Sequence, residues 1–216
     1  MIKVQRFINQ LLSSNCFIVY DDETLLSLVI DPGSEKSEKE IAFIDSNRLR
    51  LDYIILTHEH ADHTWGVNSL IDHYPTVKVV CSSSCRDNLP KEVRLFFQLY
   101  YDNPTYAYTL SRVDYTTEEL NWHLDWKGHI ISFIPAPGHT LGSICVVIDN
   151  VIFGGDTLIQ FKPFIRKRNG GSVEQFQESV KKITNSFPKD TIVYPGHGDA
   201  GKMKDFPANV NFRITA

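Results

Sequence analysis

Apolar residues along this chain fall into short runs separated by polar turns, with two longer stretches of helical spacing. Residues 17–20 and 25–30 are apolar runs flanking the turn Asp21-Asp22-Glu23, which predicts a β-hairpin, and Asp31-Pro32-Gly33 ends its second strand. Residues 37–47 carry Ile41 and Ile44 on one face among charges, a helical pattern. A strand over 52–56, a helix over 64–73 and a strand over 76–81 follow. Further strands are expected at 130–136 and 191–194. A second hairpin joins 144–148 to 151–153 through Asp149-Asn150. The clearest helix spans 172–187, with Ser172 as N-cap and Val173, Phe176, Val180, Ile183 and Phe187 along one face. There are no repeats and no low-complexity tracts. Periodicity therefore gives a mixed α/β chain.

Composition narrows the class. At 216 residues and 42% hydrophobic content, the chain can bury one large core, expected as a single domain over 1–216. A net charge of −4 leaves no basic footprint, so no nucleic-acid partner is expected. No run approaches the roughly 20 apolar residues of a membrane span, and residues 1–6 do not resemble a secretory signal, so no membrane partner and a cytoplasmic location are expected. Cys16, Cys81, Cys85 and Cys145 lie mostly in apolar, strand-like settings and read as reduced core thiols rather than half of a zinc site.

The chemistry is concentrated after the 52–56 strand. Thr57-His58-Glu59-His60-Ala61-Asp62-His63 places three histidines and an aspartate within six positions. Such groups can converge from the irregular turn at a strand's carboxyl end, where open α/β sheets place their ligands. Neutral imidazoles and carboxylates at this density suit zinc, iron or manganese. Three later segments share one grammar, an apolar strand, a glycine turn and one ligand-type residue: Pro137-Gly138-His139-Thr140, Gly154-Gly155-Asp156-Thr157 and Pro195-Gly196-His197-Gly198. The seven candidates are His58, His60, Asp62, His63, His139, Asp156 and His197. That is too many for one tetrahedral ion and suits two ions sharing a carboxylate.

In these motifs the chain resembles the metallo-β-lactamase superfamily, from about residue 13 to residue 198, and within it the glyoxalase II (hydroxyacylglutathione hydrolase)-like branch. The resemblance implies the α+β class as a four-layer αββα sandwich. It implies that His58, His60 and His139 hold a first divalent ion. Asp62, His63 and His197 would hold a second, with Asp156 bridging. Zinc is the expected metal, with iron or manganese as alternatives. A hydroxide bridging the two metals would then cleave a small ester, thioester or lactone, with Asp62 also orienting that nucleophile. Asp31 is a candidate for fixing a histidine tautomer, against a plain turn-forming role; Thr140 and Thr157 are weaker candidates. The flavodiiron pattern fits poorly, because His60 stands where a glutamate would.

Two departures from the pattern bear on substrate. The short segment after Gly198 contains no clear helix of the kind that binds glutathione in glyoxalase II, so small thioesters fit better than glutathione thioesters. An aromatic-rich insertion spans about 86–128, including Phe96, Phe97, Tyr100, Tyr101, Tyr106, Tyr108, Tyr115, Trp122 and Trp126. It reads either as a lid or wall of the active-site mouth, or as a packed hairpin or a homodimer contact. After Asp156, Arg166, Lys167 and Arg168 are placed to meet an anionic small-molecule substrate, with a solvated charge run as the alternative. His73, His123 and His129 lack ligand spacing. A mononuclear iron sulfur (persulfide) dioxygenase using His58, His139 and Asp156 is the competing activity, and a non-catalytic binding module the third reading.

Overall fold

The computed structural model describes residues 1–161, 164–166, 170–206 and 213–215, with the backbone alone described at 164, 166 and 213–215. By its internal contacts the chain divides into two compact units, Met1–Cys81 with Arg86–Thr116, and Ser82–Cys85 with residues from Thr117 onward.

The first unit carries a mixed six-stranded sheet, in the order β1 (Ile2–Ile8), β2 (Asn15–Asp21), β3 (Leu26–Ile30), β4 (Arg50–Ile55), β5 (Lys78–Cys81) and β6 (Tyr115–Thr116). β1, β2 and β3 form an antiparallel meander, whereas β3, β4, β5 and β6 run parallel. Parallel strands need crossovers, and helices supply them: α1 (Glu38–Ser46) before β4, then α2 (Ala61–Thr64) and α3 (Val67–His73) before β5. β3 and most of β2 are buried, which explains their reading as near-continuous apolar runs. The parallel order brings the carboxyl ends of β3 and β4 side by side. Asp31 follows β3, and the Thr57–His63 segment follows β4.

The expected helix over 64–73 is broken. Its first residue, Thr64, ends α2, and the backbone N–H of Gly66 donates to Pro32 O at 2.7 Å before α3 begins at Val67. In α1 the buried side chains are Glu40 and Ile44, with Ile41 only half-buried. The ring of Phe43 meets Phe7 and Tyr20 edge-on, with centroids 5.7 and 5.8 Å away.

A 19-residue helix, α4 (Ser83–Tyr101), opens the aromatic segment. It carries Pro90 near its middle, which hid it from periodicity reading.

The second unit carries another mixed six-stranded sheet, built from β7 (His123–Trp126), β8 (His129–Pro135), β9 (Ile144–Ile148), β10 (Val151–Gly155), β12 (Ile192–Pro195) and β13 (Gly201–Lys202), in the order β13-β12-β10-β9-β8-β7. β11 (Phe164–Arg166) and β14 (Arg213–Thr215) pair separately as a parallel ribbon. β8, β9 and β10 are antiparallel neighbours and β10 pairs β12 in parallel. Strands β8, β10 and β12 therefore point the same way, and their carboxyl ends share one edge. The last helix, α5 (Val173–Ser186), is capped as expected, with Ser172 Oγ accepting from Gln175 N at 3.2 Å. Its Phe176, Val180 and Ile183 are buried in a core with Cys145, Val147, Ile152 and Val193 from the strands, and Val173 and Phe187 pack at the margin. Burying Phe176 stabilises the unit by about 2–3 kcal/mol relative to exposure.

Candidate metal centre

In the first unit the Thr57–His63 segment is almost wholly buried. Thr57, His58, Glu59, Asp62 and His63 are all at most 2% exposed. Buried imidazoles and carboxylates need partners, and here the partners fix how each ring is turned. Thr57 N donates to Asp31 Oδ1 at 2.8 Å, and Thr57 Oγ1 donates to Asp31 Oδ2 at 2.6 Å. With its proton committed to Asp31, Thr57 Oγ1 accepts from His58 Nδ1 at 3.0 Å. That leaves a lone pair on His58 Nε2. Asp31 Oδ2 also accepts from His63 Nδ1 at 3.0 Å, which leaves the lone pair on His63 Nε2, 3.5 Å from Asp62 Oδ2. His58 Nε2 lies 3.1 Å from His60 Nδ1, so the second and first histidines of the motif present their nitrogens to one point.

Asp31, His58 and His63 offer atoms within 4.8 Å of one another. The Asp31 oxygens already accept from three donors, so we read Asp31 as orienting the two rings rather than as a ligand. This favours the tautomer-fixing role over the turn-forming one.

The turn bearing Asp62 is anchored through its backbone. Asp62 O accepts from Ser14 Oγ at 2.5 Å and from Asn9 Nδ2 at 3.2 Å, and Asn9 Oδ1 accepts from Gly33 N at 3.0 Å. A Cβ at Gly33 would stand 1.6 Å from Asp62 O, so only glycine fits there. Asn9 and Ser14 are not among the sequence-derived candidates. They belong to the polar turn between β1 and β2, where nothing in spacing marks a role.

The aromatic segment contributes to this unit. Tyr108 OH lies 2.7 Å from Thr64 Oγ1, and Thr64 Oγ1 donates to His60 O at 3.0 Å. Trp65 Nε1 donates to Tyr106 OH at 2.9 Å. Phe97 packs on Trp65 and Tyr106, at centroid distances of 5.2 and 4.4 Å. These contacts support the packed reading for Phe97, Tyr106 and Tyr108. Tyr101 behaves differently. Loss of solvent, then the charge of Asp62, push its phenol up from the usual tyrosine range. Trp126 is buried in the second unit, so the 86–128 stretch is not one structural piece.

Glu92 of α4 is a further residue that sequence reasoning missed. It is 5% exposed, and its Oε2 lies 3.9 Å from His60 Nε2.

In the second unit three residues converge at the edge shared by β8, β10 and β12. His139 Nε2 and His197 Nε2 lie 3.3 and 3.5 Å from the same oxygen, Asp156 Oδ2. The β10/β12 ladder shifts register between Phe153 and Gly155, which releases Asp156 from the strand, and Gly196 N donates to Gly155 O at 2.8 Å. Gly138, at φ 133°, turns the chain so that His139 can face this edge, and a Cβ there would strike the backbone N of Phe176 at 2.2 Å. Thr140 bonds Ser143 Oγ through both its N–H and its hydroxyl, and Thr157 Oγ1 donates to Ala136 O at 3.4 Å. Thr140 thus bonds within its own turn, whereas Thr157 ties its turn to the end of β8.

Of the substrate candidates, Arg166 lies on β11 and its side chain is outside the described residues, as is Arg168 altogether. His73 bonds Asp45, His123 bonds Ser132 and His129 bonds Asp149, each away from either cluster. Cys16, Cys81, Cys85 and Cys145 are buried and outside any disulfide; burial pushes the Cys145 thiol up to about 12.

A family model of the metallo-beta-lactamase superfamily matches residues 9–197. Among solved structures, the BLEG-1 B3 metallo-beta-lactamase superposes with a TM-score of 0.81 at 25% identity, covering 95% of each chain. TTHA1623 in a di-iron-bound form gives 0.77 at 22% identity, covering 93% of this chain and 96% of that one. ETHE1 from Myxococcus xanthus gives 0.68 at 20% identity, covering 94% and 80%. The α+β fold expected from the motifs is thus shared with all three. With two mixed sheets, their helices and a match over most of its length, the chain belongs to the metallo-β-lactamase superfamily.

Proposed function

We propose that this protein is a metal-dependent hydrolase acting on a small ester, thioester or lactone. The carrying observation is the hydrogen bonding that sets the rings: Thr57 and Asp31 hold His58 and His63 with their Nε2 lone pairs available. Imidazole nitrogens with carboxylate oxygens suit zinc, and also iron or manganese. In this reading His58, His60 and His139 would hold one ion and Asp62, His63 and His197 the other, with Asp156 as a ligand available to both. The facing of His139 and His197 onto Asp156 Oδ2 supports Asp156 as the shared ligand. Bound divalent ions would supply a water nucleophile at neutral pH and polarise a substrate carbonyl.

The chain's own residues supply the rest. Asp31 and Thr57 hold the imidazoles in orientation, so that little reorganisation is needed on binding. Asn9, Ser14 and Gly33 fix the turn that carries Asp62, the residue assigned to orient the attacking water. Arg166 and Arg168 remain the proposed anion-recognition pair, with the substrate carrying a carboxylate or phosphate. TTHA1623, seen with two irons, supports the two-ion arrangement. A mononuclear iron dioxygenase is the second reading, since His58, His139 and Asp156 would make a two-histidine, one-carboxylate triad.

Zinc-loaded protein assayed against thioesters, lactones, aryl esters and a β-lactam separates these readings. Hydrolysis that a chelator abolishes and zinc restores is expected. Oxygen uptake with a persulfide by the iron-loaded protein, without hydrolysis of any of the panel, would replace the hydrolase with the dioxygenase.

A further inference from the structure

The buried face of α4 is apolar apart from one residue. Cys85, Leu89, Val93, Phe96 and Phe97 are each at most 5% exposed, at the three- and four-residue spacing of one helical face. Glu92 falls on that same face and is equally buried. Placing a carboxylate in such a stripe costs several kcal/mol unless a cationic or hydrogen-bonding partner offsets it. The ring that faces it is His60, whose Nε2 lies 3.9 Å from Glu92 Oε2.

The two nitrogens of His60 then have different environments. Nδ1 faces His58 Nε2 at 3.1 Å, on the ligand side. If Nδ1 is to present a lone pair, the ring proton must sit on Nε2, the nitrogen towards Glu92. Asp31 and Thr57 already fix the tautomers of His63 and His58. His60 is the remaining imidazole of the motif, and Glu92 Oε2 stands on the side of its Nε2.

We propose that Glu92 is the positioning residue for His60, a carboxylate supplied by α4 that holds the His60 proton on Nε2 and turns Nδ1 toward the metal. This rests on the reading of His60 as a metal ligand. It gives the aromatic segment a task at the metal centre as well as a packing one. It also requires α4 to be in place before the His60 ligand atom is set. A carboxylate beside a liganding imidazole makes the ring more electron-rich, and loss of such partners typically weakens metal binding by about 10–100-fold.

The test uses the full chain with zinc alone and with cobalt(II) alone. Zinc affinity is read by competition with a chromogenic chelator, and the cobalt(II) protein by its visible absorption bands. Glu92→Gln keeps the shape and removes the charge. It is expected to keep the wild-type zinc count at saturation, bind the zinc that His60 would hold about 10–100-fold less tightly and shift the cobalt bands. Glu92→Asp, which keeps the charge one methylene further back, is expected to fall between. Wild-type affinity and wild-type cobalt bands in Glu92→Gln would overturn the proposal. Should Glu92→Gln fail to fold, Glu92→Asp carries the test, and unchanged affinity there would overturn it equally.

His60→Ala separates this from the ligand reading. A loss of about one zinc in His60→Ala, with Glu92→Gln unaffected, would sink the Glu92 role alone. An unchanged zinc count and affinity in His60→Ala would sink the ligand reading and the proposal with it.

Discussion

Asp31 stands at the end of β3 in a left-handed backbone conformation, φ 55°, which few residues other than glycine, asparagine and aspartate accept readily. There it accepts from Thr57 N, Thr57 Oγ1 and His63 Nδ1. Asparagine tolerates the same backbone, so Asp31→Asn isolates the charge and the acceptor. Its amide NH₂ would face donors at Thr57 Oγ1 or His63 Nδ1, and His63 would lose the acceptor that fixes its tautomer. Zinc affinity, measured by chelator competition, is expected to fall about 10–100-fold while the fold persists. Unchanged affinity would mean that Asp31 serves the turn alone. The residues proposed as ligands stood out in the sequence because each sits in a short motif after an apolar run. Asp31 was half legible, through Asp-Pro-Gly closing a strand. Asn9, Ser14 and Glu92 were not, since a partner 53 residues away in the chain, as between Asn9 and Asp62, leaves no local trace. For Glu92 a signal did exist: one acid on the apolar stripe of a helix.

At the scale of elements, the runs with a single strong period were read correctly, namely the hairpins, β4, β5, β8, β12 and α5. Failures came where a tertiary contact or an interruption overrode the period. Gly66 gives its N–H to Pro32, splitting the helix expected over 64–73. Pro90 obscured α4, and the partly exposed β1 and the two-residue strands lacked enough residues to show a pattern. Helix α1 was found with its inward face slightly turned, because Glu40 rather than Ile41 is buried beside Ile44. Burial raises the Glu40 carboxyl above its ordinary 4.5. The folded chain therefore holds this proton at pH values where the unfolded chain has lost it. The stability it contributes is full below about 4.5 and is lost as pH rises through the folded value. Glu40→Gln, neutral throughout, removes that loss. Thermal unfolding should show the variant melting higher than wild type at pH 7, with the gap closing toward pH 4. A gap independent of pH would show that Glu40 stays ionised in the fold.

For the whole molecule, superfamily membership was legible from the four motifs and their order, and the family match over residues 9–197 agrees with it. The substrate was not. The residues proposed to meet it, Arg166 and Arg168, have a spacing that resembles any solvated charge run. The 86–128 segment divides between the units, with Phe97, Tyr106 and Tyr108 in one and Trp126 in the other. Among the described residues no helix is long and apolar enough to cross a membrane. The proposed function turns on two metal ions per chain. Metal content per chain, measured by elemental analysis of wild type and His197→Ala reconstituted with zinc and freed of excess, tests it most directly. The account gives close to two ions in wild type and about one fewer in the variant. Equal content in the two proteins, or no metal retained by either, would contradict it.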